Sequence, residues 1–151
     1  MPETLARRAF TYQAMSPAEP LNRMRLEPFV RVGDIPFSAS GDMVRQAYGS
    51  PMRQERNAVD LTEWDYGSIV FRFQDSGQLE EVTLRAAVLD LGGVAVPFAS
   101  LGAFIRQQDS TAFERAGFLV SPKFGLAFVP DRPDWVTALA RHCLPQWEAL
   151  V

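Results

Sequence analysis

The sequence predicts an α+β fold, an antiparallel sheet with short helices packed on one face. Three observations lead to this prediction. Residues 68–85 read as strand, turn and strand, and two apolar stripes with helical spacing are bounded by caps or helix breakers. The chain has 151 residues, 47% of them apolar and 22% charged, which suits one globular domain.

The first half is predicted to hold one capped helix and a β-meander. Ser38 or Ser40 caps the helix and Gly49 ends it, while Gly77 completes the turn of the hairpin. The order of elements is a strand at 29–33, a helix that reaches Tyr48, and strands at 61–66, 68–74 and 78–85.

The second half repeats this kind of order and ends in a predicted helix. Pro133 and Asp134 are typical of a helix start, and the helix carries the apolar residues that follow them. The elements are strands at 87–91 and 94–98, a helix at 100–108, strands at 118–120 and 124–128, a helix carrying Trp135, Val136, Leu139 and Ala140, and a last turn with Trp147. We expect residues 1–26 to be an arm and residues 27–151 to be a single domain.

Two segments of the chain are self-similar. Pro36-Phe37 matches Pro97-Phe98 at an offset of 61 residues, and the alternating apolar residues at 69–73 match those at 124–128 at an offset of 55. These matches predict two tandem βαββ units, at 29–85 and 87–140, with chance recurrence of common residues as the alternative.

This element order resembles the tandem-repeat superfamily of the β-lactamase inhibitor protein and the outer-membrane-assembly lipoproteins. The resemblance covers roughly residues 29–139 and implies that the strands of both units join one antiparallel surface. The chain shows neither the secretion signal and disulfides of the inhibitor nor the lipobox of the lipoproteins. The resemblance therefore implies a fold and no activity.

The sequence offers few groups for catalysis or for binding a cofactor. His142 and Cys143 are adjacent, so on a helix they point about 100° apart, and we interpret them as a helix-end histidine and a buried thiol. Glu80 and Glu81 fall on opposite faces of a regular strand. With one histidine and one cysteine, neither a metal site nor a cofactor is predicted.

Charge and hydropathy limit the partners and the compartment. The net charge of −3 and a pI near 5.2 disfavour nucleic acid as a partner. No apolar run is long enough for a signal peptide or a membrane span, and a lone cysteine suits a reducing compartment. We therefore expect a cytoplasmic protein that binds neither nucleic acid nor membrane.

The acidic residues are concentrated in one stretch, which suggests a binding face. Residues 55–81 carry seven acids and two arginines, and alternation places Glu63 and Asp65 on one side of a strand with Trp64 and Tyr66 on the other. An acidic face would attract and orient a basic protein, although a solvated strand face is the simpler interpretation. The candidate partner-binding residues are Asp60, Glu63, Trp64, Asp65, Tyr66, Glu80 and Glu81.

This profile is similar to that of bacterial immunity proteins, including those that neutralise type VI secretion effectors. It implies that the chain covers the active site of a basic toxin or effector and is not itself an enzyme. The alternatives are a small-molecule-binding or enzymatic α+β domain, and a structural adaptor or homodimer.

Overall fold

The structure is a computed structural model that describes residues 21–149. Residues 1–20 and 150–151, which include most of the predicted arm, lie outside that range. The described strands are β1 (Leu21–Glu27), β2 (Arg31–Val32), β3 (Ile35–Pro36), β4 (Arg53–Arg56), β5 (Thr62–Asp65), β6 (Ile69–Phe73), β7 (Leu79–Leu91), β8 (Val94–Pro97), β9 (Phe113–Arg115), β10 (Phe118–Ser121), β11 (Leu126–Phe128) and β12 (Trp135–Leu139). The described helices are α1 (Gly41–Tyr48), α2 (Phe98–Gln108), a 3-10 turn (Arg141–Cys143) and α3 (Leu144–Glu148).

Strand β7 joins two parts of the sheet, because its 13 residues pair with two sets of neighbouring strands. Its first part lies within an antiparallel run of order β4-β5-β6-β7-β12-β11-β10-β9. Its last part pairs in parallel with β1 and antiparallel with β8. The β2–β3 hairpin extends the sheet beyond β1. The fold is therefore a mixture of helices and a large, mostly antiparallel sheet.

A helix followed by four antiparallel strands occurs twice in the described chain. Helix α1 precedes β4–β7, α2 precedes β9–β12, and β7 lies beside β12. The offset of 55 residues aligns Phe71 with Leu126, so it relates β6 to β11, the third strand of each set. Each set has more strands after its helix than the predicted βαββ unit.

The local signals of α1 and of the β6–β7 hairpin are confirmed. The Ser40 hydroxyl accepts a hydrogen bond from the Met43 amide at 3.4 Å, which caps α1. Gly77 adopts a φ of 91°, a conformation that costs glycine little, and its amide closes the turn on the Gln74 carbonyl. Strand β5 pairs with β6, as predicted.

The predicted helix after Pro133 is wrong. Residues Trp135–Leu139 form β12, a strand between β7 and β11. Asp134 adopts a φ of 72° and its carbonyl accepts the Ala86 amide at 2.7 Å, so the chain turns there and enters the sheet. Every residue of β12 is buried, and a strand covered on both faces has no polar alternation to reveal it.

The beginning of the domain also differs from the prediction. Residues 21–26, assigned to the arm, belong to β1, which pairs with β7. The strand predicted at 29–33 is reduced to β2, because Phe29 has a φ of 65° and lies in a tight turn. The strand predicted at 124–128 begins only at Leu126.

The helices do not all lie on one face of the sheet. Val44 of α1 and Leu101 and Ile105 of α2 join a core cluster that includes alternate residues of β5, β6, β7 and β12. Trp147 of α3 packs instead with Phe118 and the thiol-bearing Cys143, in a second cluster. Leu119 belongs to the first cluster and Val120 to the second, so the two clusters lie on opposite sides of β10.

Candidate functional site

The predicted acids of β5 lie on the side of the sheet opposite α1 and α2. Glu63 and Asp65 alternate with Trp64, as predicted, and the strand register places Arg72 beside Glu63. We define the polar face by the residues Glu63, Asp65, Arg72, Glu81, Thr83 and Thr137.

The expectation that these acids face solvent is wrong. Glu63 and Asp65 are 4% and 5% exposed, and Glu80 and Glu81 are also buried. Burial of a carboxylate is costly unless a cation and hydrogen bonds compensate its charge. The register supplies such a cation at the centre of the polar face.

Arg72 is the centre of a buried ion network. Its Nε lies 2.8 Å from Glu63 Oε2, and its Nη1 lies 3.3 Å from Glu81 Oε1. The same Nη1 donates to the Thr83 hydroxyl, which lies 2.9 Å from the hydroxyl of Thr137. Two acids predicted to contact a partner therefore hold an internal arginine. The whole network links β5, β6, β7 and β12.

Asp65 is held by hydrogen bonds from residues at the β4–β5 edge of the sheet. Its Oδ2 accepts from Arg53 of β4 at 3.0 Å, and its Oδ1 accepts from the Gly67 amide at 2.8 Å. The Asn57 side chain similarly donates to Glu63 at 3.2 Å. These contacts fix both acids of β5 against their neighbours.

A β-bulge overturns the prediction that Glu80 and Glu81 lie on opposite faces. Arg72 pairs with Glu81 and Phe73 pairs with Leu79, so Glu80 is the extra residue. Glu80 accepts from Gln74, whose amide lies 3.3 Å from His142 Nε2, and Glu81 lies 3.6 Å from Cys143 Sγ. Both acids therefore approach the side of the 3-10 turn.

Cys143 is buried, as predicted, and His142 is exposed in the same 3-10 turn. The two His142 ring nitrogens lie beside Gln74 and Gln78, whereas the Cys143 thiol approaches Glu81. The imidazole and the thiol thus have different neighbours, and they do not form a nucleophile–base pair.

Asp60 is the predicted acid that reaches solvent. It lies in the turn before β5 with a φ of 64°, and its side chain is 81% exposed. Arg56 bridges it, at 3.4 Å, to Asp75 in the neighbouring turn. The hydrogen bond from the Arg56 guanidinium lowers the pKa of Asp75, so this charged group stays ionised on the surface.

The two predicted aromatic anchors differ in their exposure. Trp64 is buried beneath α1, with the Arg45 guanidinium 4.6 Å from its ring centre. Tyr66 is half-buried, and its hydroxyl donates to the Gly49 carbonyl at 2.9 Å. Tyr66 is therefore the aromatic residue of this pair that a partner can reach.

Tyr66 belongs to an exposed patch that the sequence did not reveal. Its ring lies 5.4 Å from that of Tyr48, which is 38% exposed, and Met52, at 74%, is held nearby through its amide on the Asp65 carbonyl. Burial raises the pKa of both tyrosines, so their hydroxyls remain protonated near neutral pH. We call Tyr48, Met52 and Tyr66 the tyrosine patch.

A second surface feature is an apolar cleft of about 490 Å³ near the start of α2. Phe98, Phe128 and three prolines form much of its wall, and Asp134 is the acidic residue among those that line it. Within residues 21–149, no group of three or more His, Cys, Asp or Glu side chains could hold a metal ion. No helix in that range has the length and apolar character of a membrane span.

Comparison with known proteins gives a structural likeness and no family. No protein-family model matches the chain. No curated protein matches it either. The crystal structure of an extracellular protein containing a SCP domain, from Bacillus anthracis strain Ames, superposes with a TM-score of 0.51 at 8% identity. The match covers 76% of this chain and 47% of that one. At this identity the likeness concerns the fold alone.

Arg72, Thr83 and Thr137 were missed as members of the polar face. Arg72 interrupts the apolar strand 69–73 as its only charge, and this was the available signal. Thr83 and Thr137 gave no such signal, because they pair across β7 and β12 and β12 was predicted as a helix.

Proposed function

We propose that this chain is a cytoplasmic immunity-type protein that binds a toxin or effector and covers its active site. The observation that carries the proposal is the tyrosine patch at the β4–β5 edge of the sheet. Tyrosine and methionine are enriched in protein interfaces, and tyrosines frequently dominate their binding energy. The buried thiol of Cys143 suits a reducing compartment.

The acids contribute in two ways under this proposal. Asp60 is exposed and would attract a basic partner. Glu63, Asp65, Glu80 and Glu81 are buried, so they would act by holding the strands that carry the patch. A common origin of the two helix-plus-four-strand sets is part of the same proposal, because the recurrence of a helix and four antiparallel strands supports a duplication of the fold.

The proposal can be tested by rescue of growth. The full chain is co-expressed in a heterologous bacterium with the product of each neighbouring reading frame, and we expect it to relieve the toxicity of one of them. Tyr48→Ala combined with Met52→Ala should weaken binding of that product by about 1–4 kcal/mol. The affinity is measured by calorimetry well below the Tm of the variant, because Tyr48 also packs on Phe71 and its loss lowers thermal stability.

The matched control is Val94→Ala, which truncates a side chain of similar exposure on β8. We expect Val94→Ala to retain both rescue and affinity. Failure of every neighbouring product to be neutralised, or equal losses in the patch and control variants, would contradict the proposal.

The apolar cleft supports a second candidate, a small-molecule-binding domain. Its volume and aromatic lining fall within the range of ligand sites, and Asp134 could orient a cationic group. A screen of cationic aromatic compounds by ligand-observed NMR distinguishes the two: Gly102→Leu at the cleft should abolish such binding and leave toxin neutralisation intact.

A further inference from the structure

Strand β4 is an open edge of the sheet. Within residues 21–149 it pairs with β5 alone, and all four of its residues are exposed. The free side of an edge strand presents a row of backbone N–H and C=O groups, and such a row can pair with a strand of another chain.

The strand register shows which backbone groups of β4 point outward. The Asn57 amide donates to the Leu61 carbonyl at 2.8 Å, and this pair continues the register of β4 with β5. Backbone groups alternate in direction along an antiparallel ladder, so the N–H and C=O groups of Gln54 and Arg56 point away from β5. These two residues can form up to about four hydrogen bonds with an added strand.

A β-bulge ends this edge beside the tyrosine patch. The Met52 amide donates to the Asp65 carbonyl at 2.8 Å, and Arg53 pairs with the same Asp65, so two residues oppose one. Met52 is 74% exposed at this point, and Tyr66 directly follows β5 at the same end. The open edge therefore leads into the tyrosine patch.

Glu55 gives the edge a preference for a basic neighbour. It lies opposite Glu63 in the ladder, and Glu63 is held by its own partners, Arg72 and Asn57. Within the described part of the chain, no ion pair or hydrogen bond engages the Glu55 carboxylate. Opposite charges on neighbouring strands stabilise their pairing, so a basic residue on an added strand complements Glu55.

A second copy of the chain does not fit this edge. In an antiparallel pair of two β4 strands, all outward groups pair only when Gln54 of each copy lies opposite Arg56 of the other. This register brings the two Glu55 residues directly opposite each other, and like charges in that position destabilise the pair. The edge therefore favours a strand of different sequence.

We propose that β4 receives an extended segment of the partner as an added strand, with a basic residue beside Glu55 and an apolar residue at the tyrosine patch. Met52 and Glu55 are separated by three positions, so the two side chains of the segment lie about 10 Å apart along it. This inference rests on the proposed function, because the segment belongs to the toxin or effector.

Amide hydrogen exchange in the complex of the full chain with the neutralised product tests strand addition. We expect exchange of the Gln54 and Arg56 amides to slow by about tenfold or more in the complex, because new hydrogen bonds protect them. Ala95 is the internal control, since its amide also points outward, on the open edge strand β8. Its exchange rate should not change.

A proline substitution tests the same edge by affinity. Gln54→Pro removes an outward donor and leaves the ladder to β5 intact, because proline is tolerated where the N–H of an edge strand faces solvent. We expect it to weaken binding of the product by about tenfold relative to Gln54→Ala, the matched control, which loses the same side chain and keeps the amide. Glu55→Lys should weaken binding by about tenfold or more, because it opposes a basic residue.

Thermal unfolding establishes that each variant is folded. If Gln54→Pro is not, the exchange rates and Glu55→Lys decide. Unchanged exchange of Gln54 and Arg56 in a complex that forms, equal affinities of folded Gln54→Pro and Gln54→Ala, or full affinity of Glu55→Lys would overturn the inference and leave the proposed function intact. Protection that grows with the concentration of the free chain would overturn it in favour of a second copy. Failure of the native chain to neutralise any product would overturn both proposals.

Discussion

Replacement of Arg72 by methionine is the sharpest test of the buried ion network. Arg72 and Glu81 are fully buried and Glu63 is nearly so, with contacts of 2.8 Å and 3.3 Å. Removal of the cation leaves two carboxylates without their main compensation, and breaking such a pair costs about 3–5 kcal/mol. For a domain of this size, that corresponds to a fall in Tm of roughly 6–20 °C.

The assay is urea unfolding monitored by tryptophan fluorescence, with Arg106→Met as the matched control. Arg106 pairs with Glu114 at 3.2 Å, a similar distance, but both side chains are more than half exposed. We expect the control to lose about 1 kcal/mol or less, because solvent screens an exposed pair. Equal losses in the two variants, at unchanged m-values, would refute the conclusion that burial makes the Arg72 network important.

Two further predictions concern glycine packing and pH. Gly41→Ala should destabilise the fold by about 1–3 kcal/mol, because a β-carbon at this position would lie 2.6 Å from the Trp64 ring. Gly102→Ala in α2 should instead stabilise the fold by about 0.5–1 kcal/mol, because its β-carbon would meet open space. Thermal unfolding of the two variants checks the contrast. Burial opposes ionisation of Asp109, but hydrogen bonds led by that from Ser121 outweigh it and lower its pKa below the ordinary 3.8. The ionised form of Asp109 therefore stabilises the fold above pH 3.8. The stability difference between the native chain and Asp109→Asn should shrink as the pH falls through the lowered pKa. A difference that is constant from pH 7 to pH 2 would contradict this assignment.

The elements that the sequence predicted well are specified by signals from residues close together in the chain. Ser40 and Gly49 mark the two ends of α1, and Gly77 marks the turn of the β6–β7 hairpin. Each of these signals acts through a hydrogen bond or a backbone conformation within four residues, so neighbours in sequence are sufficient to specify it.

The acids of β5 were predicted in orientation but not in environment. Alternation correctly placed Glu63 and Asp65 opposite Trp64, yet their exposure depends on what covers the sheet, which one strand cannot encode. The tyrosine patch forms because Gly49 and Tyr66, 17 residues apart, share a hydrogen bond. Separations of this kind are set by strand pairing and not by local pattern.

The sequence by itself determined an α+β domain, the position of its capped helix and its central hairpin, and the face on which the β5 acids lie. Only the tertiary structure decided that residues 135–139 are a strand and that a bulge at Glu80 redirects its side chain. It also decided that Arg72 lies where Glu63 and Glu81 converge. The physical reason is that periodicity fixes the direction of a side chain relative to its own strand, whereas pairing between distant strands fixes its neighbours and its access to water.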